Sequence, residues 1–354
     1  MSGIPRLDPA LRAGTPLKAP ASPPQTLSCR HRDCRPFADR CVHHIDPRSS
    51  GATRMIDDLR VAILDVGSNT ARLLVADVRG TRLVSVTTGR AHLGLGAEIA
   101  ETGTLRRKTI AAAARVCRKY ADRARELGVE RAQVIVTAPG RQGAASAALV
   151  ATLREATHLP VRILAADDEG RLAFEGAIVA LGGEQPSRVG VVDVGGGSTE
   201  VVVGAPGAGP AWLRSLDLGS LRLTRLSLPS DPPTGRELAR ARSAARTAFA
   251  SLDPPRPIVA LATGGSARAL ARLVGGIYDH DDAAAAVAIL ARRRSGKVAR
   301  DVGIDPSRAG TLLAGALLLG EASRTLGRPL RLARGGVREG AALALAAEPV
   351  ARAA

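Results

Sequence analysis

Asp65-Val66-Gly67-Ser68-Asn69-Thr70-Ala71-Arg72-Leu73-Leu74-Val75 returns 128 positions later, without a gap, as Asp193-Val194-Gly195-Gly196-Gly197-Ser198-Thr199-Glu200-Val201-Val202-Val203. Each copy reads as apolar strand, Asp-Val-Gly, a turn of small polar residues, apolar strand. The flanking runs are Val61–Leu64 and Leu73–Val78 in the first copy, Val189–Val194 and Val201–Val203 in the second. A period this long excludes a solenoid. It predicts an α/β protein of two similar domains, each opening with the same hairpin.

The hairpin has a chemistry. An aspartate at the end of a buried strand is costly unless it meets a cation or hydrogen-bond donors. The neighbouring glycines let backbone approach a ligand closely. Ser, Thr and Asn side chains, with successive backbone N–H groups, make an anion nest. A single copy reads first as an ordinary glycine-rich turn. Two copies in one frame predict two hairpins that cup a phosphate chain from both sides, with Asp65 and Asp193 directed at a magnesium ion. Thr263-Gly264-Gly265-Ser266, between a strand at Ile258–Ala262 and a helix to Leu273, adds a small-residue loop at a helix N-terminus. The competing motifs are absent: there is no G-x4-G-K-[ST], no G-x-G-x-x-G after a strand and no G-x-S-x-G elbow.

Outward from the first hairpin, Leu83–Thr88 reads as a third strand and Thr104–Leu127 as a helix ended by Gly128. Strands at Val134–Val136 and Val161–Leu164 flank a helix at Ala144–Thr157. Asp167–Leu181 reads as a helix with acids in its first turn. After the second hairpin come a strand at Ala211–Ser215 and helices at Ser220–Leu226 and Thr234–Ser251. The remainder is mainly helical, with a short strand near Leu330–Leu332 and a last helix from Val337.

The 354 residues suit two domains, and 45% hydrophobic content suits a sizeable core. With aromatics at 2%, Ala, Leu and Val must fill it. Fifty Lys+Arg against 33 Asp+Glu give a net charge of +17, which either reflects an Arg- and Ala-rich genomic bias or points to an anionic partner. Nucleic acid lacks support, since no stacking platform or known module is present. Four cysteines do not frame a disulfide scaffold in a chain this long. The longest apolar run, Ala309 to Gly320, stops at Glu321 and is too short to span a bilayer. No signal-peptide core opens the chain, so a cytoplasmic protein without a membrane partner is expected. A homodimer is the default assembly.

Residues 1–54 differ from the rest. They hold eight of the 22 prolines, nine basic and four acidic residues, and no apolar periodicity. They read as a disordered extension, or as sequence upstream of a true start at Met55. Cys29, Cys34 and Cys41, with His31, His43 and His44, lie there, without the paired spacing of a zinc site. The expected domains are 55–168 and 169–350.

The two hairpins, the acidic helix start Asp168-Glu169-Gly170-Arg171-Leu172, the Thr263–Ser266 loop and the terminal Val337-Arg338-Glu339-Gly340 together resemble the exopolyphosphatase / guanosine pentaphosphate phosphohydrolase (Ppx/GppA) family, of the actin-like ATPase superfamily. The Gly-Gly-Gly-Ser-Thr-Glu run following an acidic helix start is the specific part. The resemblance covers Arg60 to Ala346, in the family's short two-domain form. It implies two ribonuclease-H-like domains with a cleft between them, and Mg²⁺-dependent hydrolysis of a terminal phosphoanhydride bond of inorganic polyphosphate or of guanosine pentaphosphate. It makes Glu169 the general base, where the residues alone favour a helix-capping acid. Glu200 joins it in positioning water, and Asp65 and Asp193 hold the metal. Gly67, Ser68, Asn69, Thr70, Gly195, Gly196, Gly197, Ser198, Thr199, Gly264, Gly265 and Ser266 bind phosphate, and Arg141 neutralises it.

Some positions depart from the family pattern. Thr137-Ala138-Pro139-Gly140 lacks the usual serine before the arginine, Ala333-Arg334 replaces a more polar pair, and Ser266 stands where threonine is commoner. His280-Asp281 lacks the further ligands of a metal-dependent HD site. The altered 137–140 segment keeps a non-catalytic phosphonucleotide-binding regulator open. A kinase of the same superfamily is the third reading.

Overall fold

The computed structural model describes residues 58–141, 146–179, 181 and 186–349. The cysteine–histidine group and the alternative start at Met55 lie outside the described residues, as does the whole 1–54 extension.

The first hairpin is β1 (Leu59–Val66) and β2 (Thr70–Arg79), continued antiparallel by β3 (Arg82–His92). Helices α1 (Leu95–Thr102) and α2 (Arg107–Glu126) lead to β4 (Arg131–Val136), which lies parallel to β1. A four-residue helix, α3 (Ala138–Arg141), precedes α4 (Ser146–Thr157) and β5 (Val161–Ile163). The sheet order is β3-β2-β1-β4-β5.

Helix α5 (Ala166–Ile178) leads to the second copy: β6 (Val189–Val194), β7 (Thr199–Ala205) and β8 (Gly209–Leu216), then α6 (Ser220–Ser227) and α7 (Gly235–Phe249). β9 (Val259–Thr263) lies parallel to β6 and runs into α8 (Gly264–Val274). β10 (Ile277–Tyr278), α9 (His280–Leu290), α10 (Ser295–Val302), α11 (Pro306–Leu326), β11 (Leu330–Leu332) and α12 (Val337–Ala347) complete the chain. The order is β10-β11-β9-β6-β7-β8. From each hairpin outward three antiparallel strands are followed by two parallel ones in the same order, as the repeat predicts, and the second sheet adds β10 antiparallel to β11 at its edge. Even the register shift between second and third strands recurs in frame, at Val75/Ala76 and Val203/Gly204.

Both faces of the first sheet are covered, so its central strand reads as an unbroken apolar run. Ala62, Leu64 and Val66 face the cluster built with α2 and α4. Val61 and Ile63, one residue out of phase, face α12. Helix α5 contributes Phe174 and Ala177 to the second sheet's core. So α5 follows the first sheet and packs on the second, while α12 follows the second and packs on the first. The two helices cross where glycines allow backbone contact: a Cβ on Gly340 would collide with the carbonyl of Leu172, and one on Gly176 with that of Gly336.

The apolar run at Ala309–Gly320 is the heart of α11, capped by Asp305 with Pro306 at its first turn and buried around most of its circumference. Glu321, which ends that run, is buried and ion-paired with Arg324. Among the described residues no helix is long and apolar enough to cross a membrane. Helices α1 and α3 and strand β10 have no counterpart in the sequence reading. Helix α1 starts at Leu95, in a Leu-Gly-Leu-Gly stretch to which the sequence reading gives no element, α3 is a single turn, and β10 is too short to carry a pattern.

Candidate active site

Each hairpin turn closes with the same bond. Gly67 N–H donates to Thr70 O, and Gly195 N–H to Ser198 O, both at 3.0 Å. The turn carbonyls are held from behind. Those of Ser68 and Asn69 accept from Gly96 (2.7 Å) and Leu93 (2.9 Å), at the approach to α1. Those of Gly195 and Gly196 accept from Ser220 (2.9 Å) and Leu221 (3.0 Å), at the start of α6. With the carbonyls engaged this way the turn dipoles are oriented, and the N–H groups of Ser68, Asn69, Gly196 and Gly197, without an acceptor among the described residues, are left for another partner. The turns meet closely: a Cβ on Gly196 would lie 3.2 Å from Ser68 Cβ.

Between them is a cavity of about 90 Å³. Its walls include Gly67, Ser68, Asn69 and Thr70 from the first turn and Gly195, Gly196, Gly197 and Ser198 from the second. Asp65, Asp193 and Glu169 face it, as do Gly264 and Gly265 of the third loop. Gly264 has φ +84, and a Cβ there would strike Asp193 Oδ1, so glycine is required on both counts.

Four expected residues lie outside the cavity wall. Thr199 donates its hydroxyl to Leu218 O (2.7 Å) and so fastens the hairpin to the segment before α6. Ser266 is buried in α8, its Oγ without a partner among the described residues. Glu200 is 1% exposed. Its Oε1 accepts from Ser215 (2.9 Å), and its Oε2 has no partner among the described residues. Arg141 sits behind Glu169, donating from Nη1 to Glu169 Oε2 and to Leu164 O, both at 2.8 Å, and reaching Ser198 Oγ at 3.5 Å from Nη2. The Ala-Pro-Gly segment before it folds as α3, where a Cβ on Gly140 would lie 3.0 Å from side-chain carbons of Val136 and Ile163. Thus the altered 137–140 segment still delivers the arginine to the glutamate.

The first turn of α5 divides its acids. Asp168 pairs with Arg162 (2.7 Å) and Arg171 (3.2 Å). No side chain caps the helix, and Glu169 turns to Arg141 instead. Burial pushes Glu169 up to about 7 against the opposing charge of Arg141. Burial pushes Asp193 up to about 6, opposed by Arg72 and Arg268 and reinforced by Asp65. Asp65 is raised by burial and held back by Arg72 and Arg338. Glu200 is raised well above the carboxylate range by burial, then by Glu169 and Asp193. The carboxylates of Asp65 and Asp193 accept no hydrogen bond from the described residues.

The sequence reading gives no site role to several residues facing the cavity: Arg72, Arg268, Arg308 and Arg338, with Glu339 and Thr137. Arg72 stands in the repeat itself, paired in register with Asp65, where the second copy pairs Glu200 with Asp193. Arg338 and Glu339 open α12, where Glu339 accepts from Gly336 N–H (2.8 Å) and Arg338 reaches Leu73 O (3.3 Å). Arg268 and Arg308 had no local signal in a chain this basic.

Residues 74–348 match the model of the Ppx/GppA phosphatase family. Exopolyphosphatase 1 of Mycobacterium tuberculosis is 30% identical over 285 residues, covering 76% of this chain and 82% of its own. Exopolyphosphatase 2 of the same organism is 33% identical over 197 residues, covering 53% and 60%. Among solved structures, the Ppx/GppA family member of Aquifex aeolicus superposes with a TM-score of 0.70 at 25% identity, covering 81% of this chain and 97% of that one. An exopolyphosphatase-like protein at 22% identity and TM-score 0.74 shares the fold. The fold is that of the actin-like ATPases, with two ribonuclease-H-like sheets, and the chain belongs to the Ppx/GppA phosphatase family of phosphoanhydride hydrolases.

Proposed function

We propose that the protein is an exopolyphosphatase, removing orthophosphate from the end of inorganic polyphosphate by attack of a water that Glu169 activates. The observation that carries this reading is the arrangement of Glu169. It is buried, partnered by Arg141 at 2.8 Å, and set in the wall of a cavity formed by two phosphate-type turns and several arginines. The names of the relatives support the substrate.

On this reading the terminal phosphoryl group lies between the turns, its oxygens meeting backbone N–H groups of Ser68, Asn69, Gly196 and Gly197 and the guanidinium groups of Arg72 and Arg268. Water attacks the terminal phosphorus and passes a proton to Glu169. The bond to the bridging oxygen breaks, leaving a chain shorter by one unit and one orthophosphate. A base near pH 7 is well matched to this step. Glu200 beside it is raised by burial, which disfavours a second negative charge near the substrate. Phosphoryl transfer asks mainly for positioning and charge stabilisation, so no covalent nucleophile is needed.

Asp65 and Asp193 fit a magnesium site. They are two carboxylates facing one cavity without donors of their own, and among the described residues no group of three ligands converges on a point. Magnesium suits such a pair, taking its other ligands from phosphate oxygens and water. When bound, it would neutralise phosphate charge as the leaving oxygen becomes anionic.

The test is Glu169→Gln. Phosphate release should vanish while polyphosphate binding persists, and a fully active variant would sink the assignment. Running polyphosphates of several lengths beside guanosine pentaphosphate decides between the family's two substrates.

A further inference from the structure

A second cavity, of about 580 Å³, adjoins the first and shares the walls made by Arg72, Arg268, Arg308 and Arg338. Arg90 of β3 and Arg272 of α8 face the second cavity alone, so six arginines surround it. Its one carboxylate, Asp305, is turned to its own helix, accepting from Ser307 N–H at 2.9 Å. No aromatic side chain lines it. Among the described residues only Arg338 of the six is ion-paired, with Glu339 at 3.5 Å.

Arg308 is the most telling of them. It is 8% exposed, with neither an ion pair nor a side-chain hydrogen bond among the described residues. Its guanidinium packs against the first turn of α8, where Gly265 has no Cβ to obstruct it. That turn is itself the positive end of a helix dipole. Burial, with Arg72, Arg90 and Arg268 close by, pushes Arg308 down to about 10. Crowding cations at a helix N-terminus in a poorly solvated place is unfavourable unless anions arrive. The first cavity has room for the reacting end of a substrate and little else, whereas the second is several-fold larger.

We propose that the second cavity holds the non-reacting internal phosphates of a linear polyphosphate chain, and that Arg90 and Arg272 set the preference for long chains over short ones. This rests on the polyphosphate reading above. A guanine base finds no stacking surface here, and the one carboxylate that could recognise its edge is engaged in capping α11.

The experiment compares wild type with the Arg90→Ala/Arg272→Ala double variant on long-chain polyphosphate, tripolyphosphate and guanosine pentaphosphate. The ratio of long-chain to tripolyphosphate kcat/KM should fall by roughly tenfold, and Arg90→Lys/Arg272→Lys should restore most of it. In parallel, long-chain polyphosphate is titrated into Glu169→Gln protein, with and without the double change, at several salt concentrations. Loss of two phosphate contacts should flatten the salt dependence by a log–log slope of about one to two. A proportionate loss on tripolyphosphate, or an unchanged salt slope, would overturn the proposal. So would a loss on guanosine pentaphosphate as large as that on long chains, since the cavity would then take a nucleotide. If wild type releases no phosphate but the double change still weakens long-chain binding, hydrolysis fails and the holding site stands.

Discussion

Replacing Arg141 by glutamine tests how the base is tuned. Arg141 Nη1 lies 2.8 Å from Glu169 Oε2, with the two side chains 22% and 11% exposed. Opposite unit charges about 4 Å apart near a protein surface attract by about 4 kcal/mol, or roughly three pKa units, which serves as a ceiling here. Partial solvation trims this, and a neighbouring cation ordinarily lowers a carboxyl by about 1–3 units. Arg141 opposes the burial that pushes Glu169 up to about 7, so its loss lets the value climb further. The base works deprotonated, so the acid limb of the kcat/KM profile should move to higher pH by about 1–3 units. Near pH 7, where the wild-type base is already half protonated, activity should drop by roughly five- to five-hundredfold and recover in alkaline buffer. Comparing the variant with wild type cancels the substrate's own ionisation, and Arg141→Lys should hold the limb near its original position. An unmoved limb with a lower plateau would refute the reasoning and make Arg141 a substrate contact instead.

Three further outcomes are expected. Arg308→Met should raise the melting temperature of the ligand-free protein by a few degrees while weakening polyphosphate binding, because an unpartnered buried charge is removed; an unchanged or lower melting temperature would count against it. Gly340→Ala should cost about 1–3 kcal/mol in urea unfolding, since its Cβ drives α12 off the Leu172 carbonyl; wild-type stability would mean the helix crossing is looser than described. Glu98, buried in α1, would be raised by burial alone, but hydrogen bonds from Thr109 and Arg106 hold it at about 2, below its ordinary 4.5. It therefore adds stability above pH 4.5 that is lost as the pH falls toward 2. Thermal melts of Glu98→Gln should differ from wild type near neutrality and converge in acid; a constant difference would contradict this.

The hairpins were legible because buried strands leave apolar runs, and because a duplicated Asp-Val-Gly turn tests itself. The acidic start of α5 was legible too, but its division of labour was not. Only packing shows that Asp168 answers Arg162 and Arg171 while Glu169 answers Arg141. The arginines were illegible for a compositional reason: with 50 basic residues in the chain, Arg268 and Arg308 are indistinguishable from background until α8 and α11 bring them together. Helix α1 was hidden by glycines that serve close contact, since Gly96 lies against Ser68 and donates to its carbonyl.

Duplication gives the two turns one geometry, yet at one matched position the first copy carries Arg72 and the second Glu200. Linear polyphosphate is the same at both ends and alike at every internal unit, so it brings no sense of direction of its own. Two identical turns facing each other would bring none either. The Arg72/Glu200 mismatch breaks this pseudo-symmetry. It puts a fixed cation in the cavity wall in one copy and, in the other, a buried acid behind that wall beside Glu169, its carboxyl raised by burial. On the proposed reading, this exchange of sign is what makes degradation vectorial: the chain is drawn along the arginine side, and water is delivered from the carboxylate side.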